Sequence, residues 1–530
     1  MAEIENIGTG RHAARMASAL FAGRIVSILL AGVSLIVVAR ILGPCYYGIY
    51  ALSLAVVGIF GAFGDFGISS TINRFVPEYL SQNKRVRINE LLSNSFAILA
   101  VLGIVATGAA MLLGTALSGF FLHNSSACSG SYAPAVLVAA LTLFLGVIFA
   151  TAANALVGFG MGKQTVVVVI AQASVQAAAS MALALLGLYA LAPLLGMVAG
   201  FAVGAAASFY IILKRIGVRL ASPTLAGVKR VLGFSVPISL YNLSGVGPSV
   251  GTMLLGLFAG AVAVGYFGIA IRVLTLITSF TGAIGVALLP TFASMVNVNA
   301  ARARSRNIGS IYGNAIYYTL LVLLPLIIFV AVLAGPLAIT VFGGAYAEAA
   351  PLVAIMALGS VLALAGSYAA LLLISKNMVR AVAVLGLITL AATVAPAPIA
   401  IMLAGGMGLA ILLFVAGPAM GAALLVHALS GRLGARPHMG KTWRLIAAGG
   451  LSALLILPLY ALLAREYIPL LIAALVEQLA LYPVLLALTG AAGKRELEKV
   501  CGIFSGVAFV GAVVRAVAAY TMVFVRMRRG

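Results

Sequence analysis

The chain reads as an all-α polytopic membrane protein, and three observations carry that reading. Its 530 residues are 64% hydrophobic and only 8% charged, with a mean hydropathy of +1.21, so burial in lipid is the way to hide the apolar surface. Apolar runs of roughly 20 residues, the length that crosses a bilayer, recur from end to end. Finally, the formal charge of +22 is concentrated in the short segments between those runs. In a soluble protein such a charge would suggest nucleic acid; here it has a topological meaning, and no nucleic-acid partner is expected. No polar stretch is long enough for a separate soluble head.

Taken in order, the N-terminus MAEIENIGTGRHAARMAS is polar. The apolar run behind it is too long for a signal-peptide core and lacks a small-residue cleavage site, so it is read as a retained first span. The length rule then predicts fourteen helices. Six lie near residues 19–39, 48–73, 93–121, 132–157, 164–187 and 191–213. Six more lie near 234–258, 262–290, 313–340, 351–374, 381–403 and 408–429, and a final pair near 445–463 and 468–490. With the N-terminus inside, 28 of the 32 Lys and Arg fall on the inner side, which predicts a cytoplasmic N-terminus in a multi-pass plasma-membrane protein.

The two sets of six carry a repeat. Tyr46-Tyr47-Gly48-Ile49, after the Gly43-Pro44 turn, returns as Tyr266-Phe267-Gly268-Ile269, an offset of 220 residues. Six spans fit inside that offset. The copies therefore point the same way, related by an axis along the membrane normal. The expected organisation is a six-helix lobe at 15–213, a cytoplasmic linker at 214–233, a second six-helix lobe at 234–430, an extra helix pair at 445–490 and a basic tail at 491–530. The tail is read as a helix lying on the inner surface with its arginines on anionic headgroups; a fifteenth span is the alternative.

Four charged residues fall inside predicted spans: Arg24, Asp65, Arg272 and Glu477. Each charge in lipid costs several kcal/mol unless it is partnered or wet. Counted from the inner helix ends, Arg24 lies about 10 Å deep and Asp65 about 13 Å deep. Two readings stay open: an ion pair locking the first two helices, or a cavity arginine held by Asp65 until an anionic substrate competes. Arg272 has no evident acid in its own lobe and is read as an anion site, since the planar guanidinium suits phosphate; capping of freed carbonyls or pairing across the bundle is the other reading. The seventh span, with Pro237, Asn242, Ser244, Gly245, Gly247 and Pro248, is expected to be broken, with Asn242 and Ser244 offering polar groups to a cavity, or else simply close-packed. Glu477 is either a neutral, hydrogen-bonded acid or a coupling-ion site for H+ or Na+.

Cys45 and Cys128 both fall outside in this topology and form a candidate disulfide. The four histidines have no metal-ligand spacing. No nucleophile–base set, phosphate loop or metal motif stands out, so neither enzyme chemistry nor a cofactor is expected.

The segments RILGPCYYGIYAL, GDFGISSTINRFVPEYL with its basic amphipathic loop, VGYFGIAIRVLTL and PLAITVFGGAYAEAAPLVAIMAL together resemble the Wzx-type polysaccharide-export flippases of the multidrug/oligosaccharidyl-lipid/polysaccharide (MOP) exporter superfamily. The resemblance runs from about residue 15 to residue 430. It implies two lobes around a cavity, alternating access, and a glycan on a polyprenyl phosphate or diphosphate as cargo, moved from the inner to the outer leaflet. By similarity Arg24 and Arg272 stand where lipid-diphosphate flippases place cationic cavity residues. Membrane lipids and glycan-assembly enzymes are the partners it implies. Glu477 and the apolar tail lie outside the pattern. A cation-coupled drug exporter of the same fold is the rival reading, and the shortage of cavity acids argues against it. A membrane glycosyltransferase would need catalytic acids in a wet loop, which the short outer loops lack; a non-transporting scaffold would leave the buried arginines without a purpose.

Overall fold

A computed structural model describes residues 10–123, 132–218, 222–295, 301–376, 378–433, 440–463, 466–494, 496–498, 501 and 508–527. Among the described residues the regular structure is helical, without a β-strand. The first helices are α1 (Gly10–Gly64), α2 (Ile68–Ser81), α3 (Arg85–His123), α4 (Tyr132–Gly158), α5 (Gly162–Leu185), α6 (Leu191–Tyr210), α7 (Leu225–Leu243) and α8 (Gly247–Met295). They are followed by α9 (Ala301–Val332), α10 (Ala334–Leu337), α11 (Ala350–Ser375), α12 (Val379–Val394), α13 (Ala397–Ile411), α14 (Gly417–Leu433), α15 (Gly440–Leu462), α16 (Tyr467–Leu488) and α17 (Ala508–Met527).

Eleven helical stretches among the described residues are long and apolar enough to cross a membrane, against the fourteen spans expected. The difference has a physical origin. The first two expected spans form one run, Gly23–Ser81, kinked inside α1 at Gly43 with φ 66°. The expected seventh and eighth likewise join through α8, kinked at Gly260 with φ 81°. Both glycines hold a conformation that a Cβ would strain, so each kink is encoded by the residue itself. The expected span at 381–403 holds the 16-residue α12 and the start of α13.

The helices pack into two compact units, Met1–Gly268 with Val379–Leu409, and Ile269–Met378 with Ala410–Gly530. In the first unit, small residues set the registers. Cβ atoms added at Gly61, Gly64 and Gly158 would meet Leu143, Val147 and Val76, so the run 44–81 lies parallel to α4. Gly196 and Gly200 close on Ser180 and Gln176, making α5 and α6 an antiparallel pair. Gly103 faces Phe144 and Gly114 faces Val136, so α3 and α4 are antiparallel as well. The alternation expected of serial spans is thus present within this unit.

The run 44–81 also packs antiparallel on residues 235–261. Gly58 meets Ser249, and the Thr71 and Ser235 hydroxyls are 2.7 Å apart. At the Gly43 kink the backbones nearly touch: a Cβ at Gly48 would lie 1.8 Å from the Ala261 carbonyl oxygen, and one at Gly265 would lie 2.0 Å from that of Pro44. The repeated Tyr-aromatic-Gly-Ile segments therefore meet, with Tyr47 1% and Phe267 0% exposed. Tyr46 stacks on Tyr189, centroids 4.4 Å apart. Cys45 is disulfide-bonded; its expected partner Cys128 lies outside the described residues.

In the second unit, α9 carries the core, with Tyr312, Ile316, Leu320, Leu323 and Ile327 buried. Thr319 and Tyr368 share a 2.6 Å hydrogen bond to α11, and the Tyr317 hydroxyl donates to the Ala491 carbonyl. A Cβ at Gly449 of α15 would meet Leu324 and Ile328 of α9, each at 2.7 Å. Helix α16 packs on α15, and α17 packs on α16 with Ala518 and Thr521 buried. Four of the seven basic residues of the expected tail, Arg495, Lys499, Arg528 and Arg529, lie outside the described residues.

Candidate functional site

The second span does not run through as one helix. Helix α1 stops at Gly64, Asp65-Phe66-Gly67 forms a break, and α2 restarts at Ile68. Phe66 and Gly67 both have positive φ, 46° and 75°, so the backbone turns out of helical geometry there. Asp65 is what restarts it. Its carbonyl accepts the Ile68 N–H at 2.9 Å, and its Oδ1 accepts both the Ser69 N–H at 3.2 Å and the Ser69 hydroxyl at 2.5 Å. A carboxylate at a helix start satisfies otherwise orphaned donors and complements the dipole.

From Asp65 a polar line continues at helical spacing along α2 and across to α4. The Ser69 hydroxyl lies 3.1 Å from that of Thr151, and Asn73 Nδ2 donates to Asn154 Oδ1 at 3.0 Å. Asn154 Nδ2 in turn donates to the Ala150 carbonyl at 2.9 Å. The opposite face of α2, Ile68, Thr71, Ile72 and Val76, is buried, whereas Ser70, Asn73 and Arg74 are exposed. The Arg74 guanidinium sits 4.7 Å over the Phe234 ring, a cation–π arrangement that holds it in place.

Arg24 is exposed on α1, with Gly23 beside it closing on Val166 of α5. Among the described residues no ion pair joins Arg24 to Asp65. Helical registers explain why. Val166 is four residues past the start of α5, about 6 Å from the turn joining α4 to α5 at 1.5 Å per residue, whereas Asp65 lies beside the Val147–Thr151 stretch of α4, roughly 10–16 Å from that turn. The two groups stand at different heights, and the Asp65 oxygen is engaged by Ser69.

The expected break in the seventh span is present, where α7 gives way to a 3-10 turn at Ser244–Val246. The 58/249 and 71/235 contacts bring Asn242 level with Asp65, and Asn242 is exposed. Ser244 packs against Gly386 of α12. Arg272 belongs to the other unit, on α8, half-buried. Glu477 lies in that unit too: both carboxylate oxygens are enclosed without a hydrogen-bond partner among the described residues, while the adjacent Gln478 donates to Ser452 at 2.7 Å. Outside the spans, burial pushes the thiol of the free Cys501 up from its usual range. Sequence reasoning missed Ser69, Thr151, Asn73 and Asn154; the signal was there in the four-residue spacing of Asp65, Ser69 and Asn73.

This fold is shared with solved transporters. The chain matches a structure of the lipid II flippase MurJ in an inward closed conformation with TM-score 0.66 and 14% identity, covering 89% of this chain and 98% of that one. An inward-facing multidrug resistance MATE family transporter of the MOP superfamily matches with TM-score 0.54 and 16% identity over 81% and 96% of the two chains. MATE in complex with MaD5 matches with TM-score 0.53 and 17% identity over 79% and 95%. Compared by sequence with curated proteins, the chain finds no match. The class is therefore defined by fold: a multi-pass membrane protein, all-helical among its described residues, that shares its fold with a lipid II flippase and with a MOP-superfamily transporter. Within that class, residues 13–296 match the model of the polysaccharide biosynthesis protein family, and the chain belongs to that family.

Proposed function

We propose that the protein is a flippase that carries a polyprenyl-(di)phosphate-linked oligosaccharide from the cytoplasmic to the outer leaflet by alternating access, for assembly of a cell-surface polysaccharide or a glycoprotein glycan. The observation that carries this reading is Arg24, an exposed guanidinium on a membrane-spanning helix of a polysaccharide-biosynthesis family member. Such a group is stable only beside water or an anion, and its planar fork matches phosphate oxygens. Membership of the family and the likeness to the lipid II flippase support a lipid-linked cargo.

The likeness to multidrug transporters keeps the rival cargo, an organic cation, in view. Against it stands Asp65, whose Oδ1 is engaged in starting α2. In the proposed scheme Arg24 and Arg272 bind the phosphates, and Asn242 and Ser244 add polar contacts. The six-helix lobes 15–213 and 234–430 rock against each other, residues 445–490 form an extra helix pair, the tail 491–530 lies on the membrane surface, and the N-terminus is cytoplasmic. Glu477 is the proposed coupling acid for H+ or Na+.

The test is flipping in proteoliposomes holding a polyprenyl-diphosphate oligosaccharide, comparing wild type with Arg24→Ala and Arg272→Ala. Arrival of glycan in the opposite leaflet for wild type, and its loss in both folded variants, supports the proposal. Absence of lipid transfer together with export of an organic cation overturns it.

A further inference from the structure

We propose that the Asn73–Asn154 amide pair is a contact site for the hydroxyl-rich glycan headgroup of the cargo; this rests on the flippase reading above. Both asparagines belong to stretches long and apolar enough to cross a membrane, Gly23–Ser81 and Tyr132–Gly158. Asn73 is exposed and Asn154 half-buried. Lipid offers such groups no hydrogen bonds, so their open side faces water or a polar ligand. Their mutual bond and the bond to Ala150 consume one N–H of each amide and the Asn154 oxygen. Left over are one N–H on each residue and the Asn73 oxygen, adjacent donors and an acceptor of the kind that fits vicinal sugar hydroxyls.

The surroundings fit the same ligand. The pair ends the polar line that begins at Asp65 and passes through Ser69 and Thr151, so hydroxyl and amide groups follow one another up the α2–α4 contact. Packing alone would not require an exposed amide pair here, since the tight contact between these helices is already made by Gly64 with Val147 and by Gly158 with Val76.

The experiment measures binding of two probes to the full-length protein in nanodiscs: a polyprenyl diphosphate bearing an oligosaccharide, and the same polyprenyl diphosphate without sugar. Asn73→Ala/Asn154→Ala is expected to weaken the glycan-bearing probe roughly tenfold, the loss of two or three neutral hydrogen bonds, and to leave the sugar-free probe unchanged. Asn73→Gln, which keeps an amide, guards against a folding defect and is expected to retain part of the preference. Equal weakening of both probes, or no weakening of either, overturns this site while leaving the flippase reading standing. If wild type binds neither probe, the flippase reading falls and takes the site with it.

Discussion

At the scale of single residues, the intramembrane charges divide by what surrounds them. Asp65 takes part in restarting α2, its Oδ1 accepting two hydrogen bonds from Ser69. Asp65→Ala is expected to lower stability by about 1 kcal/mol, the usual cost of removing a helix-start acceptor, with Asp65→Asn milder, as read by thermal unfolding in detergent. Flipping by Asp65→Asn at near wild-type rate is the expected companion result, because Arg24 is not its partner. Arg24 itself should tolerate no conservative change. Replacing its fork by a point charge in Arg24→Lys is expected to reduce flipping roughly tenfold in the proteoliposome assay; an unimpaired lysine variant would argue against bidentate phosphate binding. Both residues were visible in the sequence as charges in apolar runs. Their separation was not, because depth counted from estimated helix ends carries errors of several residues, and one helical turn already shifts a group by about 5 Å.

At the scale of elements, the Gly43 and Gly260 kinks and the glycine contacts between the arms after them set how closely the two repeated segments approach. A Cβ at Gly48 would sit 1.8 Å from a backbone carbonyl oxygen and one at Gly265 2.0 Å from another. A backbone cannot rotate out of the way as a side chain can. Gly48→Ala and Gly265→Ala are therefore each expected to cost several kcal/mol, in the range of overpacked core substitutions, and to show as loss of monodisperse protein on size exclusion. Gly32→Ala, where nothing lies within 4 Å, is the matched control expected to be silent. The sequence showed the repeat and the turn residues. It did not show that the repeats touch, since the 220-residue offset specifies likeness and says nothing of distance.

At the scale of the whole molecule, the proposed transport cycle needs an energy source, and Glu477 is its proposed handle. Its enclosed oxygens lack hydrogen-bond partners among the described residues, an arrangement that asks for a proton, an ion or a water. If Glu477 couples transport, Glu477→Gln is expected to abolish the dependence of flipping on an imposed H+ or Na+ gradient while leaving gradient-free exchange intact, measured in proteoliposomes with and without ionophore. Equal gradient responses in wild type and variant would make Glu477 a structural residue of the α15–α16 pair.

What the sequence by itself determined was residence in the membrane, helical class, the site of the break in the seventh span, and the turn at Gly43-Pro44. These follow from composition, run length and the local chemistry of Gly and Pro, and each acts within a few residues of chain. The tertiary structure alone decided which polar groups meet. Asn73 and Asn154 are 81 residues apart, and Ser69 and Thr151 are 82 apart, so their pairing is fixed by the register of two parallel helices. That register is set by Gly64 against Val147 and Gly158 against Val76, contacts of small and branched side chains that leave no periodic trace in the sequence of either helix.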